Sequence, residues 1–149
     1  MKIVVVSDSH GNKSRLDEIV LANQDADLYW HLGDYELPEY LMSPFMLIKG
    51  NCDFFSDSPI SKDLIINDVK FHLEHGNKIN FSNFEEYVLN TNSDVFLFGH
   101  LHKKINIKIR NTLIINPGSI SKPRDDNKFS YVVINFKDIN DLTVTFCYL

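Results

Sequence analysis

The chain has 149 residues, 44% of them hydrophobic, enough to bury a core without disulfides or a structural metal, and residues 1–149 are expected to form one domain. A net charge of -5 argues against a sequence-independent grip on a nucleic-acid backbone, which needs surplus lysine and arginine. Two distant cysteines, Cys52 and Cys147, make no disulfide framework, and no apolar run is long enough to span a bilayer, so a soluble cytoplasmic protein is expected.

Ile3 to Val6 is apolar and β-branched throughout, the pattern of a central strand covered on both faces, and it runs directly into Asp8-Ser9-His10. From Ser14 the spacing of Leu16, Ile19 and Val20 predicts a helix, with Asn12 or Ser14 as its cap and Asp17 and Glu18 in its first turn. Leu28 to Leu32 reads as a second strand ending at Gly33-Asp34. Glu36 to Met42 reads as a short helix stopped by Ser43-Pro44, and Phe45 to Lys49 as a third strand ending at Gly50-Asn51. This alternation predicts a mainly parallel sheet.

After Pro59 the pattern changes. Leu64 to Ile66 and Val69 to Leu73, joined by Asn67-Asp68, read as a hairpin whose second strand delivers Glu74-His75-Gly76. Phe84, Tyr87 and Val88 have helical spacing, and Val95 to Phe98 is a strand leading into Gly99-His100-Leu101-His102. The remainder is all strand: Ile105 to Ile109, Leu113 to Ile115, Tyr131 to Phe136 and Leu142 to Phe146. The expectation is an α/β fold, a four-layer α/β/β/α sandwich of two mixed β-sheets flanked by helices.

Asp8, His10, Asp34, Asn51, His75, His100 and His102 therefore all follow predicted strand ends. Taken singly, each has an ordinary reading as a turn, a cap or a hydrogen-bonded core residue. Together, carboxylates, imidazoles and an amide oxygen arriving from five strand ends are what two divalent ions need, with glycine at four of those ends letting backbone pass close by. The donor set suits Mn, Fe, Zn or Ni. A carboxylate can bridge two ions roughly 3.5 to 4 Å apart, and Asp34 is central in the order of strand ends.

Asp8-x-His10, Gly33-Asp34, Gly50-Asn51-Cys52-Asp53, His75-Gly76, Gly99-His100-x-His102 and Asn116-Pro117-Gly118-Ser119 resemble, in order and spacing, the calcineurin-like metallophosphoesterases, and among them the small YfcE-like phosphodiesterases. The resemblance covers nearly the whole chain. It implies two metal ions, one on Asp8, His10, Asp34 and His102, the other on Asp34, Asn51, His75 and His100. It further implies hydrolysis of small phosphodiesters by a hydroxide bridging the ions, with Mn the first choice of metal and Ni, Fe, Zn or Mg as alternatives. A homo-oligomer is compatible with it.

Many metallophosphatases carry histidine where this chain has Cys52, and losing an imidazole there removes a good acid at neutral pH. A preference for esters with acidic leaving groups is expected. Asn77 stands where related sequences often have a second histidine. Asn12, Cys52 and Arg124 are candidates to touch substrate; their ordinary alternatives are a helix cap, a packing thiol and a loop arginine. His31 is expected in the core or behind a ligand, and His72 on a sheet face. Two rival functions remain open, a non-catalytic protein-binding scaffold like the retromer subunit of this fold and a nuclease of the same superfamily.

Overall fold

The computed structural model describes residues 1–149. Ten strands and two helices follow in the order β1 (Lys2–Val6), α1 (Lys13–Ala22), β2 (Leu28–His31), β3 (Met46–Leu47), β4 (Ser61–Ile66), β5 (Val69–Glu74), α2 (Phe84–Asn90), β6 (Val95–Leu97), β7 (Lys104–Ile109), β8 (Thr112–Pro117), β9 (Ser130–Asn135) and β10 (Thr143–Tyr148). Two 3-10 turns, Glu39–Leu41 and Phe81–Asn83, complete them.

The strands form two mixed five-stranded sheets, β10-β9-β1-β2-β3 and β4-β5-β6-β8-β7. In the first, β1, β2 and β3 are parallel and β9 and β10 antiparallel; in the second, β5, β6 and β8 are parallel between antiparallel edges β4 and β7. Parallel strands share a direction, so β1, β2 and β3 end at one edge of their sheet and β5 and β6 at one edge of theirs. Alternate residues divide the packing. Ile3, Val5 and Trp30 meet Phe71, Leu73, Val95 and Leu97 between the sheets, while Val4 and Val6 turn outward onto Leu16 and Ile19 of α1. On the far side Phe96 and Ile114 pack against Val88 of α2, which completes four α/β/β/α layers. Each such buried aliphatic side chain contributes about 1.5–3 kcal/mol relative to exposure.

The hairpin turns where expected, with Asn67 at φ 49° and Asp68 at φ 64°, the positive pair that a two-residue turn between twisted strands demands. Three local readings change. The third strand shrinks to Met46–Leu47, and the helix expected over 36–42 is one 3-10 turn, because backbone from Glu36 and Gly50 is instead drawn onto the Asp53 carboxylate. α1 begins at Lys13, one residue early, with Asn12 as cap; Asp17 and Glu18 thus fall beyond its first turn.

Candidate metal centre

The seven residues singled out by the sequence converge where the strand ends of the two sheets meet. The ligating atoms of Asp8, His10 and His102 lie within 4.8 Å of one another, as do those of Asp34, His75 and His100. Asp8 joins the two groups: its Oδ1 lies 3.1 Å from His102 Nε2 and 3.9 Å from His75 Nε2. His75 Nε2 in turn lies 3.3 Å from Asp34 Oδ2 and 3.1 Å from Asn51 Oδ1.

Backbone conformation aims these side chains. Asp8, His10, Asp34, His100 and His102 all have φ between 43° and 64°, a region that non-glycine residues rarely enter and that concentrates at functional sites. The turns are held in place by neighbours. Asp8 N–H donates to the Gly33 carbonyl at 3.0 Å, Ser119 Oγ donates to the Asp8 carbonyl at 2.8 Å, and His100 N–H donates to Asp8 Oδ2 at 3.0 Å. Gly99 is bound between the ends of β5 and β8 within the second sheet, its N–H on the His75 carbonyl and its carbonyl accepting Asn116 Nδ2. A Cβ at Gly50 would land on Asp34 Oδ1, so only glycine permits that approach.

Three imidazoles are oriented through their far nitrogens. Nδ1 of His75 faces the Leu32 carbonyl at 2.8 Å, Nδ1 of His102 the Lys122 carbonyl at 2.7 Å, and Nδ1 of His10 the Glu36 carboxylate at 3.1 Å. These acceptors place the ring proton on Nδ1 and leave each Nε2 as a lone pair directed into the site, the arrangement found behind metal-bound histidines. His10 and His102 then oppose Nε2 to Nε2 at 3.3 Å. Asp8 Oδ1 is buried and accepts no hydrogen bond. Lone pairs and carboxylate oxygens thus converge without protons between them, and such a buried set requires positive charge. The residues fit divalent cations.

The titration shifts reflect how closely these charged and ionisable groups are packed. Burial pushes the Asp34 carboxyl up, but the His75 ring and the Cys52 amide and thiol outweigh it and hold the group well below the usual carboxylate range. Burial opposes charge on His75, yet the Asp34 and Asp8 carboxylates raise its pKa. His100 is lowered, by burial first and then by His75. Burial, reinforced by the Asp34 charge, lifts the Cys52 thiol to about 12, so it keeps its proton at neutral pH.

Of the remaining candidates, Cys52 borders the convergence, its Sγ within 4.8 Å of a His10 ring nitrogen and a Glu36 carboxylate oxygen. Asn12 Oδ1 accepts the Arg15 N–H at 3.2 Å as the cap of α1. Cys52 is half-buried, its N–H donating to Asp34 Oδ1 at 2.8 Å. Arg124 is exposed, with its N–H on the His102 carbonyl. His31 is completely buried behind the site. Its Nδ1 accepts the Gly33 N–H at 3.1 Å, so its proton lies on Nε2 and points to Ser9 Oγ at 2.9 Å; burial lowers its pKa to about 3. His72 lies on the outer face of the second sheet between Asp63 and Glu74.

Sequence reading gave no role to Asp53, which is central here. Its carboxylate accepts the N–H groups of Asp34, Glu36 and Gly50 at 2.7, 2.8 and 2.8 Å, tying the loop after β2 to the loop after β3. Its only signal was a place two residues after Asn51 in the quoted motif. Glu36 was missed too, since nothing in the sequence pairs it with His10.

Residues 1–139 match the model of the calcineurin-like phosphoesterase superfamily domain. The "Probable metallophosphoesterase YsnB" of Bacillus subtilis is 32% identical over 148 residues, covering 93% of this chain and 86% of that protein. A predicted phosphoesterase from Streptococcus pneumoniae superposes with a TM-score of 0.87 at 28% identity, over 99% of this chain and 88% of the other. A structure described as a novel archaeal phosphodiesterase gives a TM-score of 0.80 at 20% identity over 100% of both chains. With the family's pattern matched along nearly its whole length, the chain belongs to the calcineurin-like phosphoesterase superfamily.

Proposed function

We propose that this protein is a metal-dependent phosphodiesterase acting on small phosphodiesters through two divalent ions, with Mn the most effective in an assay. The observation that carries this reading is the convergence described above: four imidazoles, two carboxylates and an amide oxygen, with Asp8 Oδ1 between the two groups. By resemblance to the family, one ion would be held by Asp8, His10, Asp34 and His102 and the other by Asp34, Asn51, His75 and His100. Of the two carboxylates, Asp34 groups with His75 and His100, while Asp8 Oδ1 lies within 3.9 Å of a ring nitrogen from each set. Divalent ions, when bound, supply Lewis-acid neutralisation of the phosphoryl oxygens and a water acidic enough to ionise near neutral pH.

The chain's own contribution is placement. Leu32, Lys122 and Glu36 orient the rings of His75, His102 and His10, so these three need not turn to present Nε2 to the site. The Asp53 clamp holds Asp34 in a strained turn that would otherwise relax. Both sheets contribute ligands, which supports treating residues 1–149 as one working domain. Cys52, protonated and half-buried, is a poor acid for an alkoxide, so leaving groups that depart as stable anions are favoured. Neither the net charge of -5 nor the site provides a basic groove for a polymer.

The test is hydrolysis of bis-p-nitrophenyl phosphate with added Mn, compared between the native protein and Asp34→Ala. The expected result is activity that falls on the order of 10³-fold in the variant while the circular dichroism spectrum persists. Inactivity of the native protein with Mn, Ni, Fe, Zn and Mg alike would overturn the reading in favour of a protein-binding scaffold.

A further inference from the structure

A cleft of about 450 Å³ leads away from Asn51 and His75 and is walled by Glu74, His72 and Tyr87, with Phe54 at its rim. Glu74 is the last residue of β5, directly before His75, and is only 6% exposed. Both of its hydrogen bonds fall on one oxygen: Oε2 receives His72 Nε2 at 3.0 Å and the Tyr87 hydroxyl at 2.7 Å. Oε1 accepts none, and it is not sealed from solvent. This carboxylate lines the cleft that also holds the proposed ligands Asn51 and His75.

The carboxylate is rigid. His72 is stacked on Phe96 with ring centroids 5.2 Å apart and is held from its other side by Asp63 at 2.7 Å, while Tyr87 lies edge-on to the same Phe96 ring. A network that served only to seat α2 would be complete with Oε2 alone. The spare acceptor, preorganised and nearly buried, is suited to a donor arriving through the cleft. A carboxylate oxygen accepts from a hydroxyl, whereas the cations lining the cleft, Lys49 and Lys78, have no oxygen with which to accept one. Phe54, 78% exposed, offers a flat apolar face at the entrance.

We propose that this cleft is a specificity subsite for one half of the diester, taking a hydroxyl-bearing group such as a ribosyl or polyol moiety, with Glu74 Oε1 accepting its hydroxyl. The proposal rests on the phosphodiesterase reading and sharpens it to a substrate class.

The test uses three substrates with the Mn-loaded protein: the p-nitrophenyl ester of thymidine 5'-phosphate, its 3'-deoxy counterpart and bis-p-nitrophenyl phosphate. The native protein is expected to favour the hydroxyl-bearing ester over the deoxy one by about tenfold in kcat/KM, the effect of one hydrogen bond to a charged acceptor. Glu74→Gln is expected to erase most of that ratio. A native protein indifferent to the hydroxyl, or a Glu74→Gln variant that slows all three esters in equal proportion, would overturn the subsite. If the native protein hydrolyses none of them, the catalytic reading fails separately, and calorimetry decides the subsite. Thymidine 5'-monophosphate is then expected to bind more tightly than its 3'-deoxy counterpart to the native protein and equally to Glu74→Gln; equal affinities for the native protein would overturn it.

Discussion

His10 and His102 are aimed from behind by single acceptors, the Glu36 carboxylate and the Lys122 carbonyl, whereas Asp34 is aimed by a whole loop, through the Asp53 clamp and the Cys52 amide. The two halves of the centre therefore have different weak points. A ring held by one hydrogen bond can be loosened alone, but a carboxylate held through its own backbone moves only when the loop moves. In the first half one side-chain carboxylate and one main-chain carbonyl each hold a ring, while in the second Asp34 depends on the integrity of residues 50–53.

The largest expected effect comes from breaking the loop. Asp53→Ala leaves three N–H groups without their acceptor, and a loss of about 3 kcal/mol in urea unfolding is expected. Bound Mn should fall from two equivalents to one, read by elemental analysis after dialysis. Retention of both ions would show that the two halves are held alike.

Restoring an acid within the same loop comes next. Cys52→His is expected to raise turnover of diesters with weakly acidic leaving groups by tens of fold, while leaving aryl esters nearly unchanged. The plot of log kcat against leaving-group pKa should flatten, and an unaltered slope would contradict the role given to position 52.

A smaller effect should be confined to the first half. Glu36→Gln keeps an acceptor beside His10 but removes its charge, so about tenfold weaker binding of one Mn is expected, with the second ion unaffected. Equal weakening of both ions in a titration would erase the distinction drawn above.

The smallest effect concerns His72, outside both halves. Burial lowers its pKa, but hydrogen bonds to Glu74 and Asp63 outweigh it and set the folded value above the ordinary one near 6.5. A raised folded pKa means that the charged form stabilises the fold. The contribution is complete below pH 6.5 and is lost as the pH rises through the folded value. His72→Gln should therefore cost more stability at pH 6 than at pH 9. An equal cost at both pH values would mean that His72 contributes by packing on Phe96 rather than by charge.

Much of the fold was legible because its signals are local. The β-branched run Ile3 to Val6 has no polar face and must lie between layers, and Asn67-Asp68 between two apolar runs can hardly be anything but a turn. The segment from Glu36 to Lys49 was misread for the opposite reason. Its apolar spacing suggested a helix and a five-residue strand, but distant hydrogen bonds to Asp53 prevailed over local propensity and left a 3-10 turn and two paired residues. The metal ligands were legible as residue types at strand ends; their supports were not, since Glu36, Asp53 and the Leu32 and Lys122 carbonyls bear no mark in sequence.

By itself, then, the sequence determined the layers, the family and the seven residues on which the proposed chemistry depends, because periodicity and strand-end motifs are properties of neighbouring positions. Only the tertiary structure decided which nitrogen of each ring faces inward, that Asp8 stands between the two groups, and that Glu74 keeps a free oxygen toward a cleft. Those outcomes depend on hydrogen bonds between residues up to 111 positions apart, and such partners exist only after the sheets have packed.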